Sequence, residues 1–157
     1  MNRAWKWMLA LAGVVWLCSV SYAVVARAAE QPAGKASPLH LYTDAQAKRG
    51  HAAVVQQCVS CHSEDLNGGQ GELNLSNDRF LYQWGNVSLG ELASLIQTTM
   101  PVYAPNTLTV QQSTDIVAYV LWLNAYPAGD KELPADLEAL RKITLQTPEE
   151  HLRLFTQ

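Results

Sequence analysis

Cys58-Val59-Ser60-Cys61-His62 is the stretch on which the fold turns. Two thiols three positions apart lie about one helical turn from each other, and an imidazole follows the second thiol directly. A redox-active dithiol would need a surrounding βαβ pattern, and half of a zinc site would need a second Cys or His pair at suitable spacing; the sequence offers neither context. The remaining use is a clamp. Both thiols can add across the two vinyl groups on one edge of a haem macrocycle while the adjacent imidazole reaches the iron from the same side. The spacing therefore predicts one covalently attached haem c on Cys58 and Cys61, with His62 as an axial ligand.

The third cysteine, Cys18, sits in another setting. Arg3 and Lys6 are the early charges, and an uncharged apolar run of about 19 residues follows from Met8 to Ala26. Residues 1–28 read as an export signal, cleaved by preference after Ala28 in Ala26-Arg27-Ala28, with Ser21-Tyr22-Ala23 the weaker site. The length of the apolar run also suits an uncleaved anchor. Leu17 is too large beside Cys18 for a lipid attachment site. Export delivers the chain to the periplasm, free or anchored to the inner membrane, where an unligated thiol pair tends to oxidise.

With 157 residues the chain has room for one compact domain beside the export segment and tails. Its net charge is −3, and without residues 1–28 eight bases stand against fourteen acids. That balance argues against nucleic acid or an anionic membrane surface as partner. It favours solubility, and it would also steer a basic redox partner. Membrane association is expected only through an uncleaved N-terminus. Residues 29–41 mix Pro, Gly, Ser and Ala without periodicity and read as a linker, with the folded domain over 42–133 and a C-terminal extension over 134–157.

Three segments open with Ser/Thr-x-x-Glu/Gln, a capping box whose two side chains reciprocally satisfy orphan backbone donors: Thr43 to Gln46, Ser88 to Glu91 and Thr109 to Gln112. They predict helices over 44–57, 89–99 and 110–124. Ile116, Val117, Val120, Leu121 and Leu123, with Tyr119, Trp122 and Tyr126, make the third largely buried. Residues 63–87 and 101–107 read as irregular loops, which in so small a domain need something to pack on. Beyond Pro127 a charged stretch is read mainly as a surface tail, with short helices over about 134–143 and 148–154.

A sixth iron ligand must come from elsewhere, and a thioether suits a reversible carrier of raised potential. Met100 is the methionine left once the export segment is set aside. It ends the second helix and is followed at once by Pro101. His40 in the linker, His151 in the tail and His51 on the first helix are rivals, each read as a solvated surface histidine, with His51 the strongest. Gly68-Gly69-Gln70-Gly71 lacks the strand and the Lys-Ser/Thr of a phosphate loop. Small residues such as Gly69 would instead let the backbone lie against a macrocycle edge. Arg79 and Trp84 are candidate donors to a haem propionate. No arrangement of nucleophile, base and oxyanion donors is apparent, so the reading is an electron carrier rather than an enzyme.

Beyond the attachment motif, the chain carries Gly50 eight residues before Cys58, Asp65-Leu66-x-Gly68-Gly69-x-Gly71, Phe80 with Trp84, Leu92, Ile96-x-Thr98-Thr99-Met100-Pro101, Pro105-x-x-Leu108, Asp115-Ile116-Val117-Ala118-Tyr119-Val120-Leu121 and Pro127-Ala128-Gly129. Over about Asp44 to Leu133 it thereby resembles class I c-type cytochromes, and more narrowly the monohaem cytochrome subunits or domains associated with pyrroloquinoline quinone (PQQ) dependent alcohol dehydrogenases. The resemblance implies a small all-α fold with three main helices around the haem and long irregular loops. It implies that the first and third helices cross, that His62 and Met100 are axial, and that the Met100 loop closes the far side, with Pro101 and Tyr103 against the pocket. Two departures stand out: Ser63 follows the attachment His where such sequences often have Gly, and Val102-Tyr103-Ala104 puts an aromatic in a loop that is usually small.

The expected function is single-electron transfer in the periplasm, from a dehydrogenase of quinoprotein type to a downstream cytochrome or oxidase, alone or as the electron-transfer subunit of a dehydrogenase complex. The competing reading is a haem protein with a labile sixth ligand, acting in ligand binding or peroxidase-like redox chemistry.

Overall fold

The computed structural model describes residues 40–68, 74–76, 78–153 and 156, all within the compact unit Ala36–Gln157. The export signal, its cleavage sites, most of the linker and Gly69 lie outside the described residues. None of the described helices is long and apolar enough to cross a membrane.

Among the described residues the fold is all-α. Its helices are α1 (Asp44–Gln57), α2 (Val59–His62), α3 (Asp78–Trp84), α4 (Leu89–Thr99), α5 (Val110–Leu123), α6 (Leu137–Leu140) and α7 (Pro148–Leu152). An isolated antiparallel bridge joins Ser88 and Thr144.

The three long helices begin where their capping residues place them. Ser88 with Glu91 and Thr109 with Gln112 form complete capping boxes. At α1 the device is one-sided. Thr43 accepts from the Gln46 amide at 3.1 Å, but the Gln46 side chain is fully buried and turns inward to bond the backbone of Leu133 twice, at 3.0 and 2.8 Å. A buried amide must find both a donor and an acceptor, and the returning chain supplies them.

The main packing is α1 on α5, with α4 against α5 and α6. Gly50 makes the first contact possible: a Cβ there would lie 1.9 Å from the Asp115 carbonyl oxygen. Beside it Arg49 donates to both Asp115 oxygens, at 2.9 and 3.0 Å, and to both Glu132 oxygens, at 2.9 and 2.8 Å. Tyr42 donates to the Tyr126 carbonyl at 2.6 Å, so the segment after α5 is laced across the start of α1. The core runs through Val54, Leu66, Phe80, Leu89, Leu92, Ile116, Val117, Val120 and Leu121.

The structure corrects several expectations. Within 63–87, expected to be irregular, α3 forms and buries Phe80 and Leu81. The helix expected over about 134–143 contracts to Leu137–Leu140, capped by Asp136; Ile143 to Leu145 then leave the helix and pair with the backbone of Asn86 to Leu89. The C-terminal stretch is no surface tail, because Leu140, Leu145 and His151 are buried. His151, read as a solvated histidine, lies against Tyr126 with ring centroids 4.4 Å apart. A complete capping box at Thr147 and Glu150 opens α7.

Candidate functional site

The Cys58–His62 stretch occupies the break between α1 and α2. Cys58 caps α1, its amide bonded to the Val54 carbonyl at 2.8 Å, and its own carbonyl accepts from the amides of Cys61 at 3.1 Å and His62 at 2.9 Å. That single turn carries both thiols and the imidazole to one side of the chain. It stops at Ser63, whose φ of 60° and ψ of 166° no helix continues. Ser63 holds this conformation with its hydroxyl on the Asp65 carboxylate at 2.7 Å, a bond that draws the Asp65 pKa down. Here is the physical content of the departure at position 63: the backbone keeps a form that glycine adopts freely.

Met100 caps α4 in an extended conformation, its amide on the Ile96 carbonyl at 3.0 Å. Pro101 has no amide to continue the helix. The following loop is held at both ends, by Ala104 N–H on the Pro101 carbonyl at 2.8 Å and by the Gln97 amide on the Leu108 carbonyl at 3.3 Å.

These two wall segments meet in one cleft, whose lining includes Cys58, Cys61, His62, Met100, Pro101 and Tyr103. The rest of the lining is largely apolar, with Val54, Leu66, Leu75, Leu92, Ile96, Val102 and Ile116. Sequence reasoning did not single out most of these as pocket residues. Their signal was ordinary helical periodicity, which marks burial without saying what is buried against it.

Arg79 and Trp84 are not on the cleft lining. Arg79 is exposed on α3, and Trp84 packs half-buried against the core. The reason is α3 itself: as a helix rather than a loop, it spends its inward face on Phe80 and Leu81. Gly69 lies outside the described residues. Of the rival histidines, His40 bonds the Ala128 carbonyl at 2.6 Å, His51 pairs with Glu64 at 2.7 Å, and His151 is enclosed beside Tyr126; none lines the cleft.

Cys58 is half-buried and Cys61 exposed. Burial, helped by the second thiol, pushes the Cys58 pKa up, so at neutral pH it is a thiol and not the thiolate that disulfide exchange requires. A cleft walled by hydrocarbon, with two thiols and an imidazole on one segment and a thioether on another, has the donor set that haem c requires.

Residues 45–120, just under half of the chain, match the family model described as cytochrome c oxidase, cbb3-type, subunit III. The match supports a class I c-type cytochrome, a haem electron-transfer domain that works with redox-partner proteins. Among solved structures the chain is similar to the sulfane dehydrogenase SoxCD from Paracoccus pantotrophus, at 20% identity and a TM-score of 0.48 over 74% of this chain. The similarity extends over 65% of that chain. No curated protein matches.

Proposed function

We propose that this protein carries one haem c, bound covalently through Cys58 and Cys61 with His62 and Met100 as axial ligands, and shuttles single electrons in the periplasm. Its donor is a dehydrogenase, of the quinoprotein (PQQ) type, and its acceptor a downstream cytochrome or oxidase. The observation that carries this reading is the convergence of Cys58, Cys61, His62 and Met100 on one apolar cleft.

When bound, the iron supplies a reversible one-electron couple. Cys58 and Cys61 would hold the group through thioether links, which would need no oxidant or reductant because a thiol S–H adds across a C=C without change of overall oxidation level. The turn over Cys58 to His62 sets the spacing of thiols and imidazole. Leu66, Leu92, Ile96 and Ile116 exclude water, which keeps the charge change in a low-dielectric environment and favours the state of lower charge. Met100 offers a soft sulfur that favours the reduced metal. Residues 1–28 direct export and, left uncleaved, anchor the domain to the inner membrane.

The test is spectroscopy and mass measurement of the protein from a host competent in export and haem attachment. One haem of added mass, a low-spin spectrum and the long-wavelength absorption of thioether-ligated ferric haem are expected. Met100→Ala should abolish that band and lower the potential. Colourless protein, or rapid carbon monoxide binding by the reduced wild type, would refute the six-coordinate carrier.

A further inference from the structure

A second hollow lies toward the start of α1, along its seam with α5, and among the described residues it shares no lining residue with the cleft. One face of α1 supplies Asp44, Lys48 and His51, α5 supplies Tyr119 and Trp122, and the turn after α2 supplies Glu64. Tyr119 and Trp122 are nearly parallel, with ring centroids 5.7 Å apart and planes 14° off, and the His51 ring leans on Tyr119 at 4.9 Å. Tyr119 is buried and donates its hydroxyl to the Glu64 carbonyl at 3.1 Å. Trp122 is 53% exposed, directly after a run, 113–121, in which every residue is buried. Half of an indole is thus left bare on a fixed aromatic backing. Glu64 holds His51 through Oε1 at 2.7 Å. Among the described residues, its Oε2 and the Asp44 carboxylate have no hydrogen-bond partner.

We propose that this groove seats an arginine side chain of a partner protein, its guanidinium stacked on Trp122 and hydrogen-bonded to Glu64. Two carboxylates against the single ammonium of Lys48 leave the lining negative while His51 is neutral, and Asp65 stands next to Glu64. Burial, and after it the charges of Glu64 and Asp65, push the Tyr119 pKa up, in keeping with a negative field at that ring. A flat cation gains from the indole face and the carboxylate together. Guanidinium is planar and weakly hydrated, whereas an ammonium meets the ring as a strongly hydrated point charge. An anion would face Glu64 and Asp44, and an apolar side chain would cover the Glu64 carboxylate without bonding it. Asp44, Lys48, Glu64 and Trp122 are all exposed, so the groove is too open to enclose a small molecule. A side chain arriving on a protein is covered from its other side by that protein, and Trp and Arg are favoured anchors at such contacts. The inference goes beyond the carrier reading, since the contact uses none of the cleft residues.

The exported protein, reduced, is titrated by NMR with N-acetyl-arginine amide, and with the corresponding lysine and citrulline amides as controls for charge and shape. The Trp122 indole N–H and the Glu64 and Lys48 amides should shift saturably with a Kd of about 10 mM that weakens as salt rises. The lysine amide should bind at least about threefold more weakly, and the citrulline amide, of the same shape without the charge, at least about tenfold more weakly. Trp122→Ala should weaken binding of the arginine amide at least about fivefold. Lys48→Glu should tighten it at least about twofold, a gain that a misfolded variant would not give. No response up to about 100 mM, or equal binding of the citrulline amide, overturns the proposal. Free arginine binding more than about tenfold tighter than the capped amide would assign the groove to a small molecule and also overturn it. So would Trp122 shifts that follow protein concentration with no probe present, which would assign the seat to a second copy of this chain. Lack of haem absorption in the exported wild type counts against the carrier reading alone, because the titration is read on the groove's own residues.

Discussion

Ser63 shows how one side chain can be out of step with its backbone. At φ 60° and ψ 166° it occupies a region that is essentially glycine's, at a cost of order 1–3 kcal/mol. Ser63→Gly should therefore raise the melting temperature by several degrees even though the hydroxyl contact with Asp65 is lost, and thermal unfolding of the holoprotein checks it. Gly50 is the reverse case. Its missing Cβ is what lets α1 touch α5, where the added carbon would sit 1.9 Å from the Asp115 oxygen. Gly50→Ala should cost more than about 3 kcal/mol in denaturant unfolding, because backbone and not a flexible side chain stands in the way. The resemblance had drawn attention to both positions, but neither clash nor strain can be read from a residue type.

At the scale of elements, the long helices were legible because capping is local. Thr43, Ser88 and Thr109 lie one residue before α1, α4 and α5. The short helices were not. α3 owes its existence to Phe80 and Leu81 having a core to enter, and α6 ends after Leu140 because the chain must turn to pair with Val87 and Leu89. α7 is held partly by His151 beneath Tyr126, and burial pushes the His151 pKa down while a backbone hydrogen bond at Asn124 opposes the shift. The folded state thus prefers the neutral ring. Its contribution to stability is complete above the ordinary histidine pKa, about 6.5, and is lost as pH falls from there through the lowered folded value. Hydrogen-exchange protection over residues 147–153, with the intrinsic pH dependence of amide exchange divided out, should fall below that point, and His151→Phe should flatten the dependence. Protection indifferent to pH in the wild type would contradict the role of His151.

For the whole molecule, the cleft is the organising feature, since Val54, Leu92, Ile96 and Ile116 belong to the core and to the cleft lining at once. A group bound there adds packing to the same residues that hold α1, α4 and α5 together, so loading and stability are coupled. Cys58→Ser combined with Cys61→Ser should leave the exported protein without covalent haem, visible as loss of the added mass. It should also lower the melting temperature by about 10 °C or more, on the scale of a ligand held far above its dissociation constant. Equal melting temperatures with and without covalent haem would mean that the cleft is rigid by itself.

The sequence alone determined the spacing of two thiols and an imidazole over Cys58 to His62 and the starts of the long helices, because both depend on residues a few positions apart. It also placed Met100 at the end of a helix, beside a proline that stops it. Only the tertiary structure decided that Met100 joins Cys58, Cys61 and His62 on one cleft, that Arg79 and Trp84 stand outside it, and that the C-terminal stretch is packed. Those outcomes depend on which surfaces remain to be buried once the helices meet, a competition among distant residues that no local pattern records.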